Sequence, residues 1–230
     1  KQFSKNNNTI VSGNSSYTSQ RIEEVYGIKC DFIHPCVDRG EYTDNTHQTT
    51  NPYLEAKESE YVVTIGTANW AKGSMEAISM LSGTNISLVH VGGGNDIEIK
   101  TLQEHASTKK VKLWVAPRLS SQKLSSLMKD SLAIISMAHK EPFGLTPIEA
   151  FSIGTPAIFV DDGGFRDSII DGECGRLLPR RDYSKWHETL NQCRDKNLRE
   201  KWATAGRNRI IDLKLSPQEQ AEKIHKLFQS

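Results

Sequence analysis

From Tyr61 onward the chain alternates short apolar runs with longer stretches of helical periodicity, and this alternation points to a parallel sheet covered by helices. The runs fall at 61–65, 86–91, 111–115, 132–136, 156–160 and 175–178. Between them Leu124, Leu127 and Met128 recur at helical spacing, as do Trp186, Leu190 and Cys193. The expected fold is α/β, a parallel sheet with helices on both faces. Gly66, Gly92 and Pro117 punctuate strand ends, where an open sheet of this kind places its ligand loops, so a site is sought there.

The residues before Tyr61 read differently. A strand-like 9–12 leads into a helix around 18–26 and a second short strand at 31–34. A polar stretch follows, carrying Asp44, Asn45, Asn51 and Pro52, so 41–60 is expected to be a loop or hinge. At the other end Pro217 opens a last helix, within a segment 216–230, whose Ala221, Ile224, Leu227 and Phe228 form one apolar face; its partner surface is expected outside this chain. The sheet-and-helix unit is thus bounded at 61–215.

Composition removes several classes of function. With 29 basic and 28 acidic residues the chain offers no field for nucleic acid. Cys30, Cys36, Cys174 and Cys193 fit neither a zinc site nor a redox CxxC pair and are expected to be reduced thiols. The seven histidines show no HExxH spacing, and there is no Asp-x-Asp, so no metal and no cofactor is expected. No charged-then-apolar leader and no apolar run of about 18 residues is present, so a soluble, cytoplasmic protein is expected, with a peripheral membrane contact of the full-length protein left open.

The most informative stretch is EPFGLTPIE at 141–149. Thr146 suits a helix N-cap, Pro147 the first helical position, and Glu149 the capping-box place three residues after the cap. Physically this is a loop that delivers a helix N-terminus, with its positive dipole end, to the rim of a sheet, which is a place for a diphosphate. The same spacing also suits a Glu149 that only caps its helix and a Glu141 that is only a solvated loop carboxylate. Gly92-Gly93-Gly94 is not a dinucleotide fingerprint, because Ile97 stands where the third glycine should fall.

These residues together resemble glycosyltransferase family 4, group 1 of the GT-B enzymes. Two glutamates eight positions apart, Glu141 and Glu149, flank a Phe-Gly-Leu turn, followed by a Gly-x-Pro at 154–156 and the pair Gly163 and Gly164. The resemblance implies the Rossmann-like C-terminal, donor-binding half of a GT-B fold. Carried over, it gives Glu141 the donor sugar, the backbone N–H groups of Phe143, Gly144 and Leu145 the phosphates, and Glu149 the ribose hydroxyls. GTANWAKG at 66–73 resembles the strand-end GRxxxxKG, whose arginine and lysine clamp the diphosphate; Lys72 is kept after Gly66, but Thr67 replaces the arginine. Read from the residues alone, Lys72 suits a solvated lysine that opens a helix. Arg118 falls near the region that receives the nucleotide base, or is an exposed arginine. Asp167 stands where the family has a glutamate after its paired glycines. Lys72 and Glu141 are the catalytic candidates, since they would face the leaving diphosphate and the sugar.

Residues 9–17 resemble the ANSxYT strand and turn that ends the acceptor half, and 31–38 resemble the VIxPPVD that leads into the donor half. Residues 1–40 are therefore expected to be the tail of the acceptor domain with the interdomain segment. The implied function is transfer of a hexose, with retention, from a nucleoside diphosphate sugar to a glycan or lipid-linked acceptor bound mainly by an N-terminal half outside these residues. The wording of 144–150 is closest to mannosyltransferase-like members and weakly favours GDP-mannose. Two alternatives stand beside it: a sugar-nucleotide epimerase or phosphorylase on the same fold, and a catalytically silent nucleotide-binding module, to which Thr67 lends weight.

Overall fold

A computed structural model describes residues 9–37 and 50–229; Asp44, Asn45 and the rest of 41–49 in the expected loop lie outside these. Six strands are present among the described residues, β1 Tyr61–Ile65, β2 Ser87–Val91, β3 Leu113–Val115, β4 Ala133–Ser136, β5 Ala157–Val160 and β6 Arg176–Leu178. They form one parallel sheet in the order β3-β2-β1-β4-β5-β6. Five begin one or two residues later than the apolar runs do. At β5 the reason is chemical: Pro156 has no N–H to give the ladder, although its carbonyl still accepts from Ile134 at 2.8 Å.

The inner strands are buried along almost their whole length because helices cover both faces. Helices α2 Ser74–Leu81 and α3 Asp96–Lys109 pack together, with α7 Tyr183–Gln192 against α2. Helices α4 Ser121–Asp130, α5 Thr146–Ile153 and α8 Lys196–Leu213 form a second group. Right-handed crossovers that run outward in opposite directions from β1 and β4 put their helices on opposite faces, and the order reverses between those two strands. Trp186, Phe151 and Phe159 are fully buried, each contributing about 1.5–3 kcal/mol.

The N-terminal helix α1 Ser16–Tyr26 starts earlier than its periodicity suggests, because Ser15 and Thr18 close a capping box. The two expected strands around it shrink to one parallel bridge, Gly13 with Phe32. Two short segments that pair with no further strand among the described residues cannot sustain a ladder. Residues 50–60 contain a short 3₁₀ helix, Leu54–Lys57, within what was expected to be loop. Between α5 and β6 lies the short helix α6 Phe165–Ser168, and the last helix, α9 Pro217–Leu227, is capped by Ser216 and Glu219. Its apolar face stays open: no residue of α9 is buried, and Ile224, Leu227 and Phe228 line a groove of about 290 Å³ with Ile10 and Ile33. No helix among the described residues is long and apolar enough to cross a membrane.

Candidate functional site

The reversal of strand order between β1 and β4 opens a crevice at their C-terminal ends. Lys72 follows β1, in a short 3₁₀ turn Trp70–Lys72, and Glu141 follows β4. The two side chains meet across the switch point, Lys72 Nζ lying 2.7 Å from Glu141 Oε2. Both are partly exposed, so the pair is accessible to a ligand.

The turn that carries Glu141 is held by close backbone packing. A Cβ on Gly163 would lie 2.5 Å from the Glu141 carbonyl oxygen, and one on Gly164 would lie 2.2 Å from that of Pro142. Only glycine lets the β5–α6 loop come so near, and Gly164 N–H then bonds to Glu141 O at 2.8 Å. Gly144 takes the left-handed conformation, φ +82°, with the Phe165 ring against its α-carbon. Phe143 is buried at 2% exposure and Leu145 stands out at 41%.

The helix start differs from the sequence expectation. Leu145, in a helical backbone conformation, precedes α5; Thr146 is its first residue, and no side chain caps it. Glu149 therefore closes no capping box, and Ile148 and Glu149 N–H both turn back to Leu145 O. The residues fit the local signature, but the tight Phe-Gly-Leu turn moves the helix start back by one. An N-terminus without a side-chain cap at the crevice suits an anion.

Gly66 and Gly92 end β1 and β2 with their backbones in contact, and Gly66 also packs on the Lys72 side chain. Beside them Val91, Gly92, Ile99, Val115, Pro117 and Arg118 line a largely apolar pocket of about 640 Å³. Arg118 is thus brought to the pocket wall, exposed. Thr67 is exposed and accepts a bond from Asn69 Nδ2 at 2.6 Å. At the opposite end of the sheet a second cavity, about 550 Å³, is lined by paired charges such as Arg194 on Glu60 and carries no comparable chemistry.

Several residues that shape the crevice are not evident in the sequence. Arg180 donates to the carbonyls of Met137 and Ala138 and to Asp162, fastening the end of β4 to the loops after β5 and β6. His139 bonds Glu76 at 2.6 Å and stands beside the exposed Trp70 ring. His90, fully buried, lies 3.2 Å from Gly93 O and 3.3 Å from Ser74 Oγ, pinning the glycine turn after β2. The carbonyl requires the proton on Nε2, so Nδ1 accepts from Ser74. Burial pushes the His90 imidazole down in pKa, against the bond to Gly93. Asp167 does not face the crevice; it accepts from Ser16 and His34. Burial pushes its carboxyl up, but those bonds outweigh it and hold it below the usual carboxylate range.

A parallel sheet in this order, with a lysine and a glutamate facing each other over the switch point, defines a doubly wound, Rossmann-like α/β class of protein. Residues 46–209 match the family described as glycosyl transferases group 1, and the chain belongs to that family. A D-inositol 3-phosphate glycosyltransferase from Rhodococcus erythropolis is 25% identical over 195 residues, covering 77% of this chain and 44% of the relative. The chain therefore spans less than half of that relative's length. In fold it is similar to a glycosyltransferase from Rickettsia africae ESF-5, at TM-score 0.79 and 20% identity over 96% of this chain and 62% of that one. It is also similar to Anabaena Alr3699/HepE in complex with UDP and glucose, at TM-score 0.76 and 16% identity over 94% of this chain and 63% of that one.

Proposed function

We propose that this chain is the donor-binding part of a retaining glycosyltransferase that moves a hexose from a nucleoside diphosphate sugar to a glycan or lipid-linked acceptor. The observation that carries this is the Lys72–Glu141 pair across the switch point, beside both the N-terminus of α5 and the pocket that Arg118 borders. The base enters the pocket and Glu149 takes the ribose hydroxyls. The diphosphate lies on Lys72 and the N–H groups of Phe143, Gly144 and Leu145, while Glu141 orients the sugar. In the transfer the bond from the anomeric carbon to the diphosphate oxygen breaks and one to an acceptor oxygen forms. The acceptor's proton leaves with the nucleoside diphosphate. Lys72 and the helix end meet the charge that develops on the leaving group, and stabilisation by preorganised donors such as the N–H groups of the helix end is usually the largest catalytic term.

A near-attack geometry and exclusion of water require a second domain over the crevice, so residues 1–230 alone should bind nucleotide weakly and transfer nothing. GDP-mannose is weakly favoured by the wording of 144–150, but the Anabaena neighbour is in complex with UDP and glucose, so the base is an outcome of the test. Calorimetry of this chain with UDP, GDP and ADP, repeated on Lys72→Ala, checks the reading. One nucleotide should bind, and Lys72→Ala should weaken it by about 1.5–3 kcal/mol, the range for a hydrogen bond to a charged group. Failure of all three to bind would refute it. Binding without sugar transfer by the full-length protein would favour a silent module instead, the reading that Thr67 supports.

A further inference from the structure

The segment before the sheet reaches across more than a hundred residues to the back of the 141–145 turn. Ser15, fully buried, donates its hydroxyl to Pro142 O. The next residue, Ser16, gives its N–H at 2.6 Å and its hydroxyl to the Asp167 carboxylate. His34 stacks on Phe143, ring centroids 4.7 Å apart at 30°, and its Nε2 lies 3.1 Å from Asp167 Oδ2. The Asp167 and His34 side chains are only 8% and 10% exposed. Gln220 of α9 bonds His34 O at 3.1 Å from behind, and Arg209 of α8 bonds Asp167 O.

The turn is thus gripped from two sides. Gly163, Gly164 and Phe165 hold it from within the sheet-and-helix unit, and Ser15 and His34 hold it from the N-terminal segment. Ser15 and His34 meet the turn at Pro142 and Phe143, and neither they nor Asp167 line the pocket at Arg118. Whatever they do for the site passes through Pro142 and Phe143. We propose that Ser15, His34 and Asp167 are positioning residues: with them the N-terminal segment fixes the backbone that is to receive the diphosphate. This rests on the donor-binding reading above.

A buried polar cluster of this kind specifies one arrangement, because each member leaves its partners unsatisfied if it moves. Asp167 is central to it, since it accepts from the N-terminus of α1 and from His34 together. Coupling between two sites is reciprocal. If the docked segment favours the binding form of the turn, a nucleotide on the turn must favour the docked segment. Helix α1 then reports ligand occupancy without touching the ligand.

The test uses the 230-residue protein with UDP and GDP. Amide hydrogen exchange in α1 should slow several-fold on saturation with whichever nucleotide binds. His34→Ala should weaken that nucleotide about two- to tenfold, the worth of a stacked aromatic pair, measured well below the melting temperature of both proteins. His34→Phe keeps the stack but loses the bond to Asp167 and should recover only part of the loss; Asp167→Glu should bind better than Asp167→Asn. A purely structural role would lower the melting temperature of these variants but leave affinity and α1 exchange unmoved. Nucleotide binding with unchanged α1 exchange and unchanged affinity in His34→Ala overturns the inference while the donor-binding reading stands. Absence of any nucleotide binding overturns both.

Discussion

On the β4 side of the crevice the 141–145 turn is wedged against Gly163 and Gly164, Arg180 fastens the strand end behind it, and His34 covers Phe143. On the β1 side Thr67 is exposed, bonded to Asn69, and Trp70 is 74% exposed. The first side is fixed before any ligand arrives, whereas the second presents a lysine on a loop with two open side chains. Preorganised donors cost no rearrangement when charge develops, so the β4 side suits the atoms that react. The β1 side suits what must enter and leave, and it is there that Thr67 stands where the resemblance leads one to expect an arginine.

The largest effect expected of this asymmetry is at Gly164. Its backbone is permissive, but Gly164→Ala would put a Cβ 2.2 Å from Pro142 O and 2.6 Å from the Phe143 α-carbon, and neither backbone atom can yield alone. We expect a loss of about 3 kcal/mol in stability, the upper end for overpacking, and loss of nucleotide binding. On the looser side Gly93→Ala meets nothing within 4 Å and bears only its left-handed φ of +67°. It should cost about 1–2 kcal/mol and, although Gly93 lines the Arg118 pocket, weaken nucleotide far less than Gly164→Ala does. Chemical denaturation and calorimetry on the two variants decide it; equal effects on binding would remove the distinction between the sides.

Thr67→Arg sharpens the comparison from the other direction. Adding a phosphate donor to the open loop should tighten nucleoside diphosphate binding by about 1–3 kcal/mol, as a charge-assisted contact does. No gain with an intact fold would mean that the phosphates do not lie near the end of β1.

Acid should release the two sides at different pH. The pKa of buried His90 lies below its ordinary value, so its contribution to stability is complete above about pH 6.5 and declines as pH falls toward the folded value. Asp167 is also depressed, so its contribution survives to about pH 4 and is lost only below that. Melting temperature should therefore begin to fall under pH 6.5, with a His90 slope of at most about 1.4 kcal/mol per pH unit. His90→Gln should flatten that slope and leave the drop below pH 4. An unchanged slope would assign the loss to other groups.

The same contrast explains what was legible in the sequence. The six strands were readable because strands such as Val62 to Thr64 or Ile134 to Ser136 lie in a sheet covered on both faces, which writes each as a continuous run. The 141–149 motif was readable because turn, proline and glutamates are close in sequence. The cap at Thr146 was misread for the same local reason: a good Thr-Pro-x-Glu signature cannot reveal that the preceding turn starts the helix at Leu145. Ser15, His34 and Asp167 were not legible as a group, since their contacts span 127 to 151 residues and no periodicity encodes them. Arg180 and His139 had no motif either; their partners are carbonyls and a carboxylate set by the fold.

The smallest effect expected concerns the pair that joins the two sides. In the unliganded protein the Glu141 carboxylate holds Lys72, and a nucleoside diphosphate must draw the lysine away while approaching a negative charge. A pair this exposed is worth about 0–1 kcal/mol, so it is a modest competitor. Glu141→Gln keeps the shape, frees Lys72 and removes the like charge, and should tighten UDP or GDP by up to about fivefold. The corresponding sugar nucleotide should gain less, because Glu141 is the residue proposed to hold the sugar. Calorimetry with nucleotide and sugar nucleotide on both proteins gives the ratio. If Glu141→Gln weakens the bare nucleotide, Lys72 is positioned by the glutamate rather than withheld by it, and the β1 side is as preorganised as the β4 side.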